Sequence, residues 1–201
     1  MTKGQDTRAA ILDEAANLAS INGLNGLTIG SLAAHTGMSK SGLFRHFGSK
    51  EELQVATLKA GVDRFTETVI RPALRASRGI ARVQALFDHW LEWGTGQGFD
   101  GGCIFIPASF ELDDQPGAAR DYLVTTQQQW LDLLATTARK AIETGDFRTD
   151  VDCDQFAHEF NTILLGFNQA HRLMRNGKAA HLARHQFERL IKDASHVAVT
   201  A

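Results

Sequence analysis

Proline occurs only three times in 201 residues, at positions 72, 107 and 116. Period-two alternation of apolar and polar residues is almost as scarce, whereas apolar residues recur at i, i+3 and i+4. That pairing excludes a β-rich chain and predicts an all-α fold. Cysteine occurs twice, as Cys103 and Cys153. Two cysteines make no disulfide framework and fit a reducing cytoplasm. No apolar run approaches the roughly 20 residues that span a bilayer. The opening "MTKGQDTRAAILDEAANLAS" carries acids inside its apolar stretch, so it is not expected to be a signal peptide. An excess of positive charge is also missing, with a formal net charge of -2. Any binding to nucleic acid must therefore be confined to one face. No glycine-rich phosphate loop, nucleophile elbow or catalytic triad is legible, which argues against an enzyme and calls for no cofactor. What the chain does have is 43% hydrophobic residues, enough for a real core.

The spacing predicts about nine helices. The first runs from about Thr7 to Asn22, with Ile11, Leu12, Ala15, Leu18 and Ala19 as its apolar stripe and Gly23 as a left-handed cap. Thr28 reads as the N-cap of a short helix over 29–35, and Ser39 as that of another over 40–46. Met38 is expected to fold back onto the core. Ser49 and Glu52 fit a capping box that opens helix four, ending near Pro72. The remaining helices are expected at about 81–94, 103–112, 118–144, from "DVDCD" (150–154) to 175, and 179–196. The stretch 94–102 reads as a loop. The division drawn from this is residues 1–48 as one domain and 49–201 as a second, with helix four (about 49–72) as connector.

The stretch "SKSGLFRHFGSKEEL" (39–53) concentrates positive charge in an otherwise near-neutral chain. Lys40, Arg45, His46 and Lys50 occur there before any acid. Two short helices joined at Gly37 make a helix-turn-helix pattern. In such motifs the second helix enters the major groove with its N-terminal residues foremost. Here those are Ser39, Lys40, Ser41 and Gly42. Glycine inside a helix costs about 1 kcal/mol against alanine. Gly42 therefore needs a reason: close approach of DNA, fraying, or tight packing on helix one. Lys50 stands at the first position of helix four, where the macrodipole disfavours a cation. It is either a solvated lysine tolerated at small cost or half of a phosphate site. Beside this motif, phosphate is the favoured reading.

These residues resemble the DNA-binding region of the TetR family of transcriptional regulators. The resemblance is carried by "LTIGSLAAHTGMSKSGLFRHFGSKEEL" (27–53), with its Thr28 cap, its "AAHTGMSKSGLF" hairpin, its aromatic-x-His-Phe ending and its "SKEEL". It implies a homodimeric repressor with an N-terminal three-helix DNA-binding unit and a C-terminal ligand-sensing helical domain. Thr28, Ser39, Ser41, His46 and Lys50 become candidates for the DNA backbone, and Lys40 and Arg45 for base edges. Many members carry tyrosine where this chain has Phe44, which offers apolar contact only. The implied partners are an operator duplex, a second copy and a small, largely apolar effector. An all-α enzyme and a ligand-blind DNA-binding protein are the alternatives.

The second domain is less legible. "GGCIFIPASFELDDQPG" (101–117) resembles a segment of one subset of the family in which a glycine–cysteine pair opens a cavity-lining helix. Trp90, Trp93, Phe105, Phe110 and Trp130 are candidates for the wall of a ligand cavity. His89, Gln127 and Asn161 are candidates to orient a ligand there; the same residues also suit a plain core. Cys103 is either a reactive thiol near a helix N-terminus or a small packing residue. The last two helices suggest a dimer surface through Phe160, Ile163, Leu164, Phe167, Phe187, Leu190, Ile191 and Ala194, with Gly166 permitting a close crossing. The alternative is that this face belongs to the protomer core. His181 and His185 stand at i and i+4 without a third ligand, so no metal site is assigned.

Overall fold

Local capping chemistry sets the first elements of the structure, a computed structural model describing residues 3–195, with side chains from Thr7 onward. Helix α1 spans Lys3–Gly26 and starts a turn earlier than its apolar stripe suggests. It is broken at Gly23, but not by the left-handed cap expected there: φ 76° with ψ 167° is an extended conformation open chiefly to glycine, and one more turn follows. Thr28 caps α2 (Ile29–Thr36), and Gly37 ends it at φ 68°. Ser39 caps α3 (Lys40–Phe47) by accepting the Gly42 N–H. Ser49 caps α4 (Lys50–Phe65) in the same way through Glu52 N–H.

The capping box expected at Ser49 is only half made. The Ser49 N–H donates to Phe47 O at 2.7 Å instead of to Glu52. The reciprocal box lies at Thr28, where Ser31 stands in for the glutamate. Its short hydroxyl accepts the Thr28 N–H at 2.9 Å.

Helix α4 passes into a wider π turn, Thr66–Ile70, and then into α5 (Arg71–Arg75). Pro72 does not end the helix, because it falls in the first turn of α5, where its missing N–H costs little. Helix α6 spans Ile80–Glu92 and continues as a π turn, Trp93–Gln97, so part of the expected loop is helical. Helix α7 spans Phe105–Leu112; Cys103 precedes it rather than opening it. Helix α8 spans Ala118–Glu143 and α9 Cys153–Asn168, the latter capped by Asp152. A π turn over Gln169–Leu173 follows, then α10, Ala179–Ala194. Among the described residues there is no strand, only an isolated bridge between Phe147 and Ser195.

The chain divides into two compact units. The first takes the residues through Thr66 together with Gly96–Thr126. Its core is aliphatic: Leu24, Leu27, Leu32, Leu43, Leu53 and Leu58 are all fully buried. Met38, expected in that core, is only half-buried, as is Ile29. Helix α1 packs on α2, α4 and α7. Three polar ties join distant parts of this unit. Asn17 exchanges hydrogen bonds with Asp100, at 2.9 and 3.0 Å. Glu111 accepts the Asn25 N–H at 2.7 Å. Glu51 accepts the Ala118 N–H at 2.7 Å. Glycines make the close approaches possible: a Cβ on Gly101 would collide with the Ser20 carbonyl, and one on Gly23 with the Glu111 carboxylate.

The second unit takes Glu67–Thr95 and the residues from Gln127 onward. Its centre is aromatic. Phe87 stacks on Phe187 at 4.0 Å between centroids. Phe160 meets Phe87, Trp130 and Phe187 nearly edge-on. Such pairs add roughly 0.5–1.5 kcal/mol each beyond the area they bury. Helices α9 and α10 pack along each other against this cluster.

Candidate nucleic-acid interface

Helix α3 is held by its two apolar residues. Leu43 and Phe47 are buried, and Lys40, Ser41, Phe44 and Arg45 are left on the outside. Phe44 is 57% exposed, a large aromatic surface without cover in the protomer. At the helix start, Ser39 Oγ accepts the Gly42 N–H at 3.1 Å and lies 3.3 Å from Ser41 Oγ. Both hydroxyls therefore sit at an N-terminus whose remaining amides are open to an anion.

Gly42 can now be read. A Cβ there would meet one atom, Ser39 Oγ at 3.1 Å, and nothing from α1. Packing on helix one is not the reason for this glycine. Lys40 reaches back over α2, with its ammonium 3.9 Å from the place of a Cβ on Gly30. His46 is half-buried, its ring 6.2 Å from that of Phe47.

Two of the candidate residues already have work inside the protomer. Thr28 Oγ1 accepts the Ser31 N–H at 3.0 Å and so closes the α2 cap. Lys50 Nζ donates to Asn25 O at 3.2 Å, near the C-terminal end of α1. Carbonyls there lack helical partners and favour a cation. This accounts for a lysine in the first turn of α4, a reading the local sequence did not offer, since its partner is 25 residues away. The ammonium keeps two further N–H donors. Of the acids that follow, Glu51 is turned to the Ala118 amide. Arg8 adds a cation that no sequence signal marked; its guanidinium lies 5.4 Å over the Phe47 ring.

The residues expected to line a ligand cavity fall in both units. In the first, Phe105 meets Phe65 edge-on at 6.0 Å, and Cys103 is buried. Phe110 is 73% exposed. A cleft of about 300 Å³ opens in the first unit among Asp13, Glu14, Asn17, Arg64 and the 96–100 loop, none of them expected. In the second unit, Trp130 Nε1 donates to Asn161 Oδ1 at 3.2 Å. This bond joins a residue expected in the cavity wall to one expected to orient a ligand. Trp90 packs edge-on against Phe167, and Trp93 is fully buried. His89 Nδ1 lies 3.1 Å from Glu92 Oε2, and Gln127 is half-buried.

The expected dimer residues divide. Phe160, Leu164, Phe167, Phe187, Leu190 and Ala194 are buried in the protomer and offer almost no area to a second copy. They face the aromatic centre because α9 and α10 each turn their richest apolar stripe inward. Ile163 and Ile191 are half-buried. The exposed apolar residues on the same hairpin are Leu165, Leu173, Met174 and Leu182. His181 and His185 are both exposed. Among the described residues no three side chains are grouped to hold a metal ion, and no helix is long and apolar enough to cross a membrane.

Comparison with known proteins matches two successive parts of the chain. Residues 11–57 match the family described as "Bacterial regulatory proteins, tetR family". Residues 79–187 match "Tetracyclin repressor-like, C-terminal domain". The chain is 29% identical over 168 residues to the HTH-type transcriptional repressor AcnR of Corynebacterium efficiens, covering 82% of this chain and 81% of that one. A TetR transcriptional regulator from Chloroflexus aurantiacus superimposes with a TM-score of 0.85 at 25% identity, over 96% of each chain. A transcriptional regulator from Saccharomonospora viridis, solved in complex with choline, superimposes with a TM-score of 0.78 at 20% identity, over 96% of this chain and 100% of that one. The chain belongs to the TetR family of bacterial regulatory proteins, and it is a DNA-binding transcriptional regulator.

Proposed function

We propose that the protein is a homodimeric, effector-released repressor that reads a near-palindromic operator through α3. The observation that carries this reading is the N-terminal end of that helix. Two hydroxyls, one lysine and a glycine open on its far side share a surface without an acid. At Gly42 a duplex backbone or base edge approaches the helix without meeting a Cβ. Lys40 and Arg45 are assigned to base edges, where long cationic side chains recognise guanine. Ser39, Ser41, His46 and the remaining donors of Lys50 are assigned to phosphate, and Phe44 to apolar contact with a sugar or a thymine methyl. Thr28 is assigned to phosphate beside the uncapped amides at the start of α2. The name of the Corynebacterium relative supports repression.

A two-fold pair of such heads grips half-sites about one helical turn apart. An effector that binds better to a protomer pair with different head spacing lowers DNA affinity by its differential affinity for the two states. The effector proposed is small and largely apolar. Footprinting on genomic fragments near physiological salt is the test. A protected inverted repeat supports the reading, and protection no better than on random DNA sinks it.

A further inference from the structure

The last turn of α1, beyond the kink at Gly23, is held by side chains distant in the sequence. The Leu24 carbonyl accepts Gln54 Nε2 at 3.2 Å, and the Asn25 carbonyl accepts Lys50 Nζ at 3.2 Å. Both donors come from α4. The Asn25 N–H donates to Glu111 Oε2, on α7, at 2.7 Å. Asn25 is therefore bonded on both of its backbone groups by side chains of opposite charge. Each charge stands on its favourable side, the anion at the N–H and the cation at the carbonyl.

The Glu111 carboxylate has a prepared seat. It occupies the space that a Cβ on Gly23 would fill, and Gly23 is buried. Among the described residues Glu111 stands in no ion pair, so its bond to the Asn25 amide is not a by-product of one. Lys50 is exposed. A lysine free in solvent loses rotamer freedom when it meets a phosphate, and that loss opposes binding. Here the bond to Asn25 O orders the side chain before DNA arrives and leaves two N–H donors over. The bond is only as fixed as Asn25 itself, which lies in a terminal turn, where helices fray. Glu111 is what fastens that turn to α7.

We propose that Glu111 is a positioning residue for DNA binding. By seating the Asn25 amide it fixes the carbonyl that aims the Lys50 ammonium at a phosphate. This rests on the assignment of Lys50 to phosphate above and adds the residue that makes the lysine effective. Glu111 does not itself touch DNA. Its removal loosens Lys50 without taking a donor away.

The test is a double-mutant cycle on the full-length protein, with the operator duplex defined by footprinting. Fluorescence anisotropy gives the dissociation constant and salt slope of wild type, Glu111→Ala, Glu111→Gln, Lys50→Gln and the combined Glu111→Ala, Lys50→Gln variant. Urea denaturation checks that each is folded. Glu111→Ala is expected to weaken binding roughly 3- to 10-fold, as the release of one long side chain does. The same factor is expected on a random duplex of equal length, because a phosphate carries no sequence information. Glu111→Gln keeps an oxygen for the Asn25 N–H and is expected to stay within about 2-fold of wild type. In the Lys50→Gln background, Glu111→Ala is expected to add no further loss. Should Glu111→Ala fail to fold, Glu111→Asp takes its place, keeping the charge but withdrawing the oxygens by one methylene, with the same loss expected. Losses that simply multiply in the cycle show a general structural role and overturn the inference. Tighter binding by both Glu111→Ala and Glu111→Gln shows a carboxylate that only repels DNA and overturns it too. Either result leaves Lys50 on its phosphate. A Lys50→Gln variant with unchanged affinity and salt slope overturns the phosphate assignment itself, and the positioning role with it.

Discussion

Replacing Gly42 by alanine separates folding from DNA contact at a single atom. Gly42 needs no positive φ, so alanine is compatible with the backbone there. The exchange gains up to about 1 kcal/mol of helix propensity in α3. Against this stands one close contact, 3.1 Å from the new Cβ to Ser39 Oγ. That oxygen is the helix cap, and a whole cap contributes about 0.5–2 kcal/mol. A shift of a few tenths of an ångström forfeits only part of it. The two effects nearly cancel, so stability is expected to stay within about 1 kcal/mol of wild type. At the DNA the methyl has no compensation. It stands at the leading end of the reading helix, and displacing one good base contact costs about 1–3 kcal/mol, or roughly 5- to 150-fold in affinity. Urea denaturation gives the first quantity; fluorescence anisotropy with the footprinted operator at fixed salt gives the second. Unchanged operator affinity refutes close approach as the reason for the glycine. A destabilisation beyond about 2 kcal/mol shows instead that the glycine serves the fold.

Three further outcomes are expected. Lys50→Gln should lower the salt slope of DNA binding by about one and weaken all sequences alike; if only thermal stability falls, the lysine serves the Asn25 carbonyl and not a phosphate. Phe160→Ala should cost about 3–5 kcal/mol in denaturation, as a fully buried aromatic does, and a loss below about 1 kcal/mol with a weakened dimer would return this residue to the interface. The Cys153 thiol is pushed up from its ordinary pKa, first by burial, with Arg139 partly opposing. A raised pKa leaves less thiolate at pH 8, so iodoacetamide should modify Cys153 more slowly than free cysteine, as mass spectrometry of its peptide reads. Equal or faster modification refutes that environment.

What the sequence revealed about the fold was whatever is decided within a turn or two of helix. Thr28, Ser39 and Ser49 cap their helices as read because a cap bonds to an amide two or three residues on. Pro72 misled because a π turn, invisible in apolar spacing, placed it in a tolerated position. At the DNA face, the exposed residues of α3 followed from Leu43 and Phe47, but the bond from Lys50 to Asn25 did not. In the second unit, spacing put Phe160 and Phe167 on the apolar stripe of one helix and Phe187 on that of the next. It could not show that these stripes meet Phe87 and Trp90 rather than a second copy. Likewise spacing gave no sign of the hydrogen bond between Trp130 and Asn161, which lie 31 residues apart on different helices.

The ties from α1 and α4 to the 100–118 segment bear on how the protein is made. Asn17 bonds across 83 residues, Asn25 across 86 and Glu51 across 67. A ribosome adding about 5–20 residues per second needs roughly 4 to 17 seconds to deliver the partners of Asn17 and Asn25 after those residues emerge. During that interval the three-helix head has its own caps and leucines but not these ties. A nascent chain halted before Asp100 carries a head that can form its helices yet cannot be fastened. These polar bonds, which secure the end proposed to read DNA, are completed only when the second half of the chain is under way.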